Sequence, residues 1–368
     1  MKIRSVYLKN WRNIEQLHLD FVPEVQLILG KNAQGKTNIL EAIYLTSTMR
    51  SFRTNKENML IRSGEKQASI RLVFEKHGRE QELEIRLCEG QSKKVYLDGR
   101  LIPRTRDAIG LFSGVLFTPD HLMMIKGAPG ERREFLDMAL CAGSPRYTED
   151  LLQYNKALKN RNRLLKSENE ALFATLPVWD ELLCRYGASI AAARAEYLQK
   201  LSEAAAGEYE QISAGGEKMK ILYINQFSKE PQTAETYYQL MMEQMEKRRQ
   251  RDIENQTTGM GIHKDDFLTL LGGKSAKFFG SQGQIRSCVL SIKMAEAALI
   301  EQQSGLKPVI LLDDILSELD EGRQNYVLQH TFDNQCVVTA CEPDKLERFA
   351  KGSILIKGGN RDVSSSGR

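Results

Sequence analysis

The sequence predicts an α/β chain in which a mixed sheet and an antiparallel sheet are interrupted by a helical lobe. Three observations predict it: a strand–loop–helix signature early in the chain, helix-spaced apolar residues through its middle, and a wholly apolar strand ending in two acids near its close.

The signature is Gly30-Lys31-Asn32-Ala33-Gln34-Gly35-Lys36-Thr37, of the form G-x-x-x-x-G-K-[ST]. This is the loop that wraps the phosphates of a nucleoside triphosphate. Residues 25–29 before it are apolar enough for a buried strand, and residues 38–45 after it are apolar at helical spacing. The glycines let backbone N–H groups turn toward phosphate oxygens, and the helix N-terminus adds its dipole. Lys36 reaches the β- and γ-phosphates, and the Thr37 hydroxyl holds Mg²⁺. ATP and Mg²⁺ are the expected ligands.

Composition sets bounds. At 368 residues the chain holds one large or two ordinary domains, and 41% hydrophobic with 27% charged residues is a soluble α/β composition. The net charge of +4 is a small difference between 52 basic and 48 acidic residues, so nucleic-acid contact depends on where the charge sits. The cysteines at 88, 141, 184, 288, 336 and 341 form no C-x-x-C pair and read as reduced thiols of a cytosolic protein. Residues 1–8 are too polar for a signal peptide, and no apolar run approaches a membrane span. A cytoplasmic location without a membrane is expected.

In order, residues 3–8 and 17–21 alternate as half-buried strands around the turn Lys9-Asn10-Trp11-Arg12-Asn13. Residues 49–56 form a basic loop, and 69–74, 82–87 and 94–97 form an antiparallel meander with Asp98-Gly99 as a turn. Helical character begins near residue 130. Glu149-Asp150 open a helix with Leu151, Asn155, Leu158, Asn162 and Leu165 at seam spacing; residues 180–210 carry a second stripe of Tyr186, Ile190, Ala193, Tyr197 and Leu201. Ala214-Gly215-Gly216 breaks the pattern, residues 219–224 are a strand, and Pro231 opens a third helix to Ile253. These are helices of an ordinary packed lobe, too short for a long coiled coil. Sheet character returns at 267–271 and 276–279, a helix covers 285–303, and strands follow at 308–312, 336–339 and 353–356. The tail from 358 to 368 is polar and expected to be disordered. The expected division is a first lobe of 1–125 with 300–368 and a second lobe of 126–299.

The apolar strand 308–312 ends in Asp313-Asp314. Asp313 at its carboxyl end holds Mg²⁺ with Thr37, and Asp314 orients the attacking water. Ser281-Gln282-Gly283-Gln284 is a second anion-binding turn at a helix start, although a plain Ser N-cap would look the same. One ATP does not need two cradles from one chain. The economical reading is that Ser281, Gly283 and Gln284 meet the γ-phosphate of ATP held by a second copy, in an ATP-dependent homodimer.

Phosphate loop, helical insertion, S-x-G-Q and hydrophobic-D-D, in that order, resemble the ATP-binding-cassette ATPases of the chromosome-maintenance type. Within them the chain is similar along nearly its whole length to the bacterial RecF family of recombination-repair ATPases. The resemblance rests on residues 8–13, 30–38, 127–137, 261–267, 281–286 and 311–320; the R-R-x-F-L-D run at 132–137 and the G-x-H-K-D-D run at 261–266 are its most specific parts. It implies an ABC-type ATPase head with a weak, Mg-dependent ATPase. ATP would drive dimerisation, DNA binding near single-strand gaps, and work with RecO and RecR in recombinase loading. It also implies that Ser317-Glu318-Leu319-Asp320 is the D-loop meeting the partner subunit, and that Arg12 approaches the phosphates.

Two departures stand out. Cassette transporters place Glu after the metal-binding Asp; here it is Asp314, one methylene shorter, which implies slow hydrolysis. The switch His expected after the next strand is replaced by Thr339-Ala340-Cys341, with Thr339 as the candidate for its role. For DNA phosphates the basic candidates are Lys156, Lys159, Arg163 and Lys166 on one helix face, Arg50, Arg53 and Lys56 in a loop, and Lys247, Arg248, Arg249 and Arg251 in the third helix. A solvated helix face explains each group equally well. His263 with Asp265 and Asp266 reads as a hydrogen-bonded turn before it reads as a metal site. A transporter subunit is disfavoured by the missing switch His and the inserted lobe, and an ATPase with its own nuclease by the short chain after Asp314.

Overall fold

The computed structural model describes residues 1–167, 170–213, 216–331, 333–341 and 350–361. The Ala214-Gly215 break and tail residues 362–368 lie outside the described residues. The chain divides into two compact units, Met1–His121 with Lys293–Arg368, and Leu122–Ile292.

The first unit begins with β1 (Lys2–Trp11), β2 (Ile14–Asp20), β3 (Val25–Leu29) and α1 (Lys36–Thr48). It continues through β4 (Gln67–Lys76), β5 (Arg79–Cys88), β6 (Lys94–Leu97), β7 (Arg100–Ile102) and β8 (Gly114–Phe117). The second unit holds α2 (Met123–Lys126), α3 (Pro129–Gly143), α4 (Pro145–Leu165), α5 (Leu176–Ile212), β9 (Met219–Ile224), α6 (Ala234–Glu254), β10 (Asp266–Leu271), β11 (Lys274–Ser275) and α7 (Ala276–Phe279). Helix α8 (Gln282–Ser304) carries the chain back to the first unit, which ends with β12 (Val309–Asp313), α9 (Glu321–Thr331), β13 (Cys336–Ala340), β14 (Gly352–Lys357) and β15 (Asn360–Arg361).

Two six-stranded sheets build the first unit. One is antiparallel, in the order β2-β1-β4-β5-β6-β7. The other runs β15-β14-β3-β13-β12-β8, parallel from β14 to β8. In the parallel sheet every residue of β3, β8, β12 and β13 is buried, as strands covered on both faces require. Strand β8 is absent from the sequence reading: four residues, Gly-Val-Leu-Phe, are too few to show a period. In the antiparallel sheet Val6, Leu8, Ile70, Leu72, Leu83, Ile85 and Val95 alternate inward, the period that the sequence displays. Asp98 and Gly99 both have positive φ, 49° and 76°, as a two-residue β6–β7 hairpin requires.

In the second unit, β11-β10-β9 form a small antiparallel sheet against α5. Several expectations are corrected here. Residues 276–279 are the helical turn α7, with Phe278 and Phe279 exposed, because Gly280 N–H bonds back to Ala276 O at 3.0 Å. Helix α4 starts at Pro145, ahead of Glu149, because Ser144 Oγ accepts the Tyr147 N–H at 3.1 Å. Helix α6 starts at Ala234, capped by Thr233 Oγ1 accepting from Thr236 N at 3.2 Å, and Pro231 stays outside it.

The helical stripes also shift. Helix α4 buries Leu151, Tyr154, Ala157, Arg161 and Leu165, while Asn155 is exposed. Helix α5, 37 residues long, buries Leu183, Gly187, Ile190, Ala191, Arg194, Leu198 and Leu201, with Tyr186, Ala193 and Tyr197 at the margin. Each inner stripe passes through an arginine, which an apolar count reads as surface. Gly187 fits a close crossing, since a Cβ there would lie 3.2 Å from Met241 Sδ and from Tyr154 Cε2.

Both arginines are buried and paired. Arg161 Nε donates to Asp180 Oδ1 at 2.6 Å, and its NH1 to Asp252 Oδ2 at 2.8 Å and Thr258 Oγ1 at 2.9 Å. Arg194 reaches Asp137 at 2.7 Å, Asp265 at 3.1 Å, Tyr147 OH at 3.0 Å and Ile262 O at 2.8 Å. Such a pair adds little over an apolar isostere, but removing one member leaves buried charge uncompensated. Arg161→Met leaves the buried Asp252 without its cation and Asp180 with Arg249 alone, at a cost of about 3–5 kcal/mol; differential scanning calorimetry should show the melting transition falling by about 10 °C.

The same lobe holds two groups with opposed titrations. Burial pushes the Asp265 carboxyl up to about 6 and the His263 imidazole down to about 4. Asp265 stabilises the fold at low pH, and that stability is lost as pH rises to about 6. His263 stabilises it above its ordinary range, and that stability is lost as pH falls to about 4. Between those values the two slopes cancel. In His263→Gln only the Asp265 slope remains, so thermal melts should show its stability relative to wild type declining from pH 4 toward pH 6.

Candidate nucleotide-binding site

The loop 30–37 leaves β3 with Gly30 at φ 157°, where a Cβ would stand 2.6 Å from Ile356 O of β14. Ala33 (φ 63°) and Gly35 (φ 104°) take left-handed backbone, and Gly35 caps α1. The Lys36 ammonium is buried at the mouth of the loop. It donates to Gly30 O, to Lys31 O at 3.2 Å and to Cys341 Sγ at 3.4 Å. Gln34 is pinned from outside, its side chain accepting the Gly358 N–H and its carbonyl the Gly359 N–H at 3.0 Å.

Strand β12 delivers the acids. Asp313 is buried, and its Oδ1 accepts from Thr37 Oγ1 at 3.0 Å and Thr339 Oγ1 at 2.8 Å. Burial pushes its carboxyl up, the neighbouring Asp314 adds to that, and the two hydroxyls oppose it. Thr339 also accepts the Asp314 N–H at 3.0 Å. Asp314 turns out of the strand at φ 51°, and Cys341 Sγ lies 4.0 Å from its Oδ2 while donating to Asn32 Oδ1 at 2.9 Å. The Thr37 hydroxyl and Asp313 carboxylate are adjacent hard oxygen donors, the donor chemistry that suits Mg²⁺.

Arg12 reaches α1, but its guanidinium lies on Glu41, with Nε to Oε2 at 2.9 Å and NH2 to Oε1 at 2.6 Å, and on Met59 O at 2.9 Å. Ser51 Oγ also donates to Glu41 at 2.5 Å, and Arg53 stands 3.6 Å away. Glu41 was missed in the sequence; its signal was a lone acid inside a helix that is buried on nearly every side. Cys341 and Asn32 form a second contact that spacing could not reveal.

The second unit carries a turn of its own. Ser281 Oγ accepts the Gln284 N–H at 3.2 Å and Gln284 Oε1 accepts the Ser281 N–H at 2.7 Å, a reciprocal capping box at the start of α8. Ser281 is exposed, Gly283 is half-buried, and Gln284 also bonds Glu217 at 2.9 Å. The Ser317–Asp320 segment lies beside β12, with Ser317 Oγ donating to Asp314 O at 2.7 Å and Asp320 Oδ1 capping α9 through Arg323 N at 3.0 Å.

Of the basic groups, Lys156, Lys159 and Arg163 are exposed on α4, and Lys166 is exposed at its C-cap. Arg249 instead pairs with the buried Asp180 at 3.1 Å, so it belongs to the lobe's interior wiring. His263 Nε2 donates to Thr258 O at 3.2 Å, so its neutral ring accepts the Tyr154 hydroxyl at Nδ1 at 2.7 Å; Asp266 pairs with Arg132 at 2.6 and 2.8 Å, and Arg133 donates to Asp265 O at 2.7 Å. The two most distinctive sequence runs are thus one hydrogen-bonded network. No group of three or more His, Cys, Asp or Glu side chains suited to a metal occurs among the described residues. No helix among them is long and apolar enough to cross a membrane.

Phosphate loop, buried Asp313 and parallel sheet define the class: a P-loop ATPase head. The family model described as the RecF/RecN/SMC N-terminal domain matches residues 2–358. The chain is 37% identical to the DNA replication and repair protein RecF of Lachnoclostridium phytofermentans over 96% of both chains. It is 38% identical to that of Agathobacter rectalis, over 97% of this chain and 96% of its relative. A solved structure of the recombination mediator RecF with ATP, in the RecFOR pathway, superposes with TM-score 0.90 at 33% identity, over 98% and 97% of the two chains. A Pyrococcus furiosus Smc head shares the fold at TM-score 0.55 and 18% identity. The chain belongs to the RecF family.

Thr339 is the hub between the two acids. Thr339→Val removes one hydrogen bond to a buried carboxylate and orphans one N–H. ATP turnover should fall about tenfold, while titration with nucleotide in EDTA should give an unchanged dissociation constant.

Proposed function

We propose that the chain is an ATP-gated DNA-binding protein of recombinational repair. The observation that supports this most is the Thr37–Asp313 hydrogen bond of 3.0 Å beside the phosphate loop, with Asp314 turned out next to it. The N–H groups of residues 30–37 and the Lys36 ammonium neutralise the β- and γ-phosphates of ATP, and Thr37 with Asp313 supplies the oxygens for Mg²⁺. When bound, Mg²⁺ draws charge from the phosphate oxygens. Asp314 holds the attacking water, and its short side chain keeps hydrolysis slow. Arg12 belongs to the phosphate side of the site, with Glu41 as the acid that holds it.

The Ser281, Gly283 and Gln284 turn completes the site on a second copy, so that two chains enclose two nucleotides with two-fold symmetry. The capping box fixes this turn before any partner arrives, and the first N–H groups of α8 lack intrahelical acceptors. ATP binding then shifts the population from monomer to dimer, and hydrolysis reverses it. The dimer grips duplex DNA near a single-strand gap, in the cytoplasm, and works with RecO and RecR to load the recombinase.

Light scattering with and without Mg-ATP tests the composite site. Wild type and Asp314→Asn should both double in mass on adding Mg-ATP, and Ser281→Arg should bind ATP yet remain monomeric. ATP binding without dimers in all three proteins would overturn the trans role of the turn.

A further inference from the structure

The outward face of the antiparallel sheet carries chemistry that the ATP site does not use. Register places Lys9 beside Ser69, Ser69 beside Arg86, and Arg86 beside Lys94, so one row crosses β1, β4, β5 and β6. At the usual strand spacing the row is about 14 Å long. Lys9, Arg86 and Lys94 are exposed, and neither lysine has an acid partner among the described residues. A groove of about 400 Å³ follows this row, with Glu84 and Tyr96 also in its wall. Glu84 is nearly buried and neutralised by a two-pronged pair with Arg86, both contacts 2.8 Å.

The adjacent row is aromatic. It sets His18 beside Tyr7, Tyr7 beside Arg71 and Glu84 beside Tyr96. The Arg86 guanidinium lies over the Tyr96 ring, 4.5 Å from its centroid, and Arg71 lies over Tyr7 at 5.7 Å. Glu84 fixes the Arg86 plane, which therefore presents a flat cationic face to solvent. Cations in a line with planar groups one row away make the pattern that holds a single nucleic-acid strand. Phosphates take the lysines, and bases stack on rings or guanidinium planes. A duplex, its bases already stacked, has no base free for the planar groups.

We infer that this face of the antiparallel sheet is a platform for single-stranded DNA, with phosphates on Lys9 and Lys94 and a base on the Arg86–Tyr96 stack. The inference rests on the reading of the chain as a DNA-binding protein and assigns the strand, as distinct from the duplex, to a surface of its own. Fluorescence anisotropy on the full chain, with a labelled oligothymidylate and a labelled duplex over a salt series, tests it. Lys9→Gln with Lys94→Gln should weaken the oligothymidylate about tenfold at low salt and reduce its log–log salt slope by about 1.4, the loss of two single-strand phosphate contacts. Arg86→Lys, which keeps the charge and loses the plane, should weaken it about fivefold or more. Duplex affinity and ATP-induced dimerisation should stay within twofold of wild type in both. An unchanged oligothymidylate affinity, an equal loss for the duplex, or no single-strand binding by wild type each overturns the platform. Failure of wild type to bind either DNA while still dimerising would sink the broader DNA-binding reading as well, whereas duplex binding alone would leave that reading standing.

Discussion

A single buried carboxylate sets the terms for the first unit. Asp313 ends a strand whose residues are all inside the sheet, so its charge has lost most of its water. Burial favours the neutral acid, and the hydroxyls of Thr37 and Thr339 oppose that by bonding the charged form. The sheet order β3-β13-β12 is what makes both hydroxyls available: β13 brings Thr339 from the adjoining strand, and the loop after β3 brings Thr37 at the first turn of α1. Thr339 cannot serve Asp313 without also meeting the Asp314 N–H, so the second acid is held where the first one needs its partner. Asp314 leaves the strand through left-handed backbone, which costs a non-glycine residue about 1 kcal/mol and turns its side chain away from the buried layer.

The helical unit solves a related problem with the opposite charge. Arg161 and Arg194 sit on the inner stripes of α4 and α5, each between two carboxylates and additional oxygen acceptors. A buried guanidinium paired this way orients the segments that supply its partners. Asp137 comes from α3, Asp265 from the turn before β10, and Asp180 and Asp252 from α5 and α6. The R-R-x-F-L-D and G-x-H-K-D-D runs are therefore spent on holding one lobe together. Their distinctiveness in sequence reflects a network in which each member leaves another unpaired if lost.

That network also explains what could and could not be read from the sequence. The phosphate loop, the apolar strand ending in Asp313-Asp314 and the alternating strands of the meander were legible because backbone geometry dictates residue type there. Positive φ calls for glycine, double burial calls for a continuous apolar run, and a half-exposed sheet calls for alternation. The stripes on α4 and α5 were misread because their buried residues include arginines whose partners are distant in sequence, 19 and 91 residues from Arg161. Glu41 was passed over for the same reason, since Arg12 reaches it from a turn 29 residues earlier. At 276–279 two phenylalanines suggested a strand, yet both are exposed on a helical turn, so hydrophobicity there does not report burial.

The proposed cycle follows from how these parts differ in readiness. The cradle on the first unit is preformed: Lys36, Thr37 and Asp313 already bond within the chain, and the loop backbone is set by Gly30 and Gly35. The Ser281–Gln284 turn is equally preformed by its capping box. Binding ATP to a cradle alone changes no population, because a ligand shifts an equilibrium only by its differential affinity for the two states. In the proposed dimer that difference arises from the N–H groups and hydroxyl of the turn, which meet the γ-phosphate only when a second copy is present. In that proposed dimer two preformed surfaces would need little reordering to close, and the proposed hydrolysis at Asp314 would set the lifetime of the closed form. A short acid, its backbone N–H bonded to Thr339 and its side chain one methylene short of a glutamate's reach, suits a proposed site whose task is to stay closed for a while and then let go.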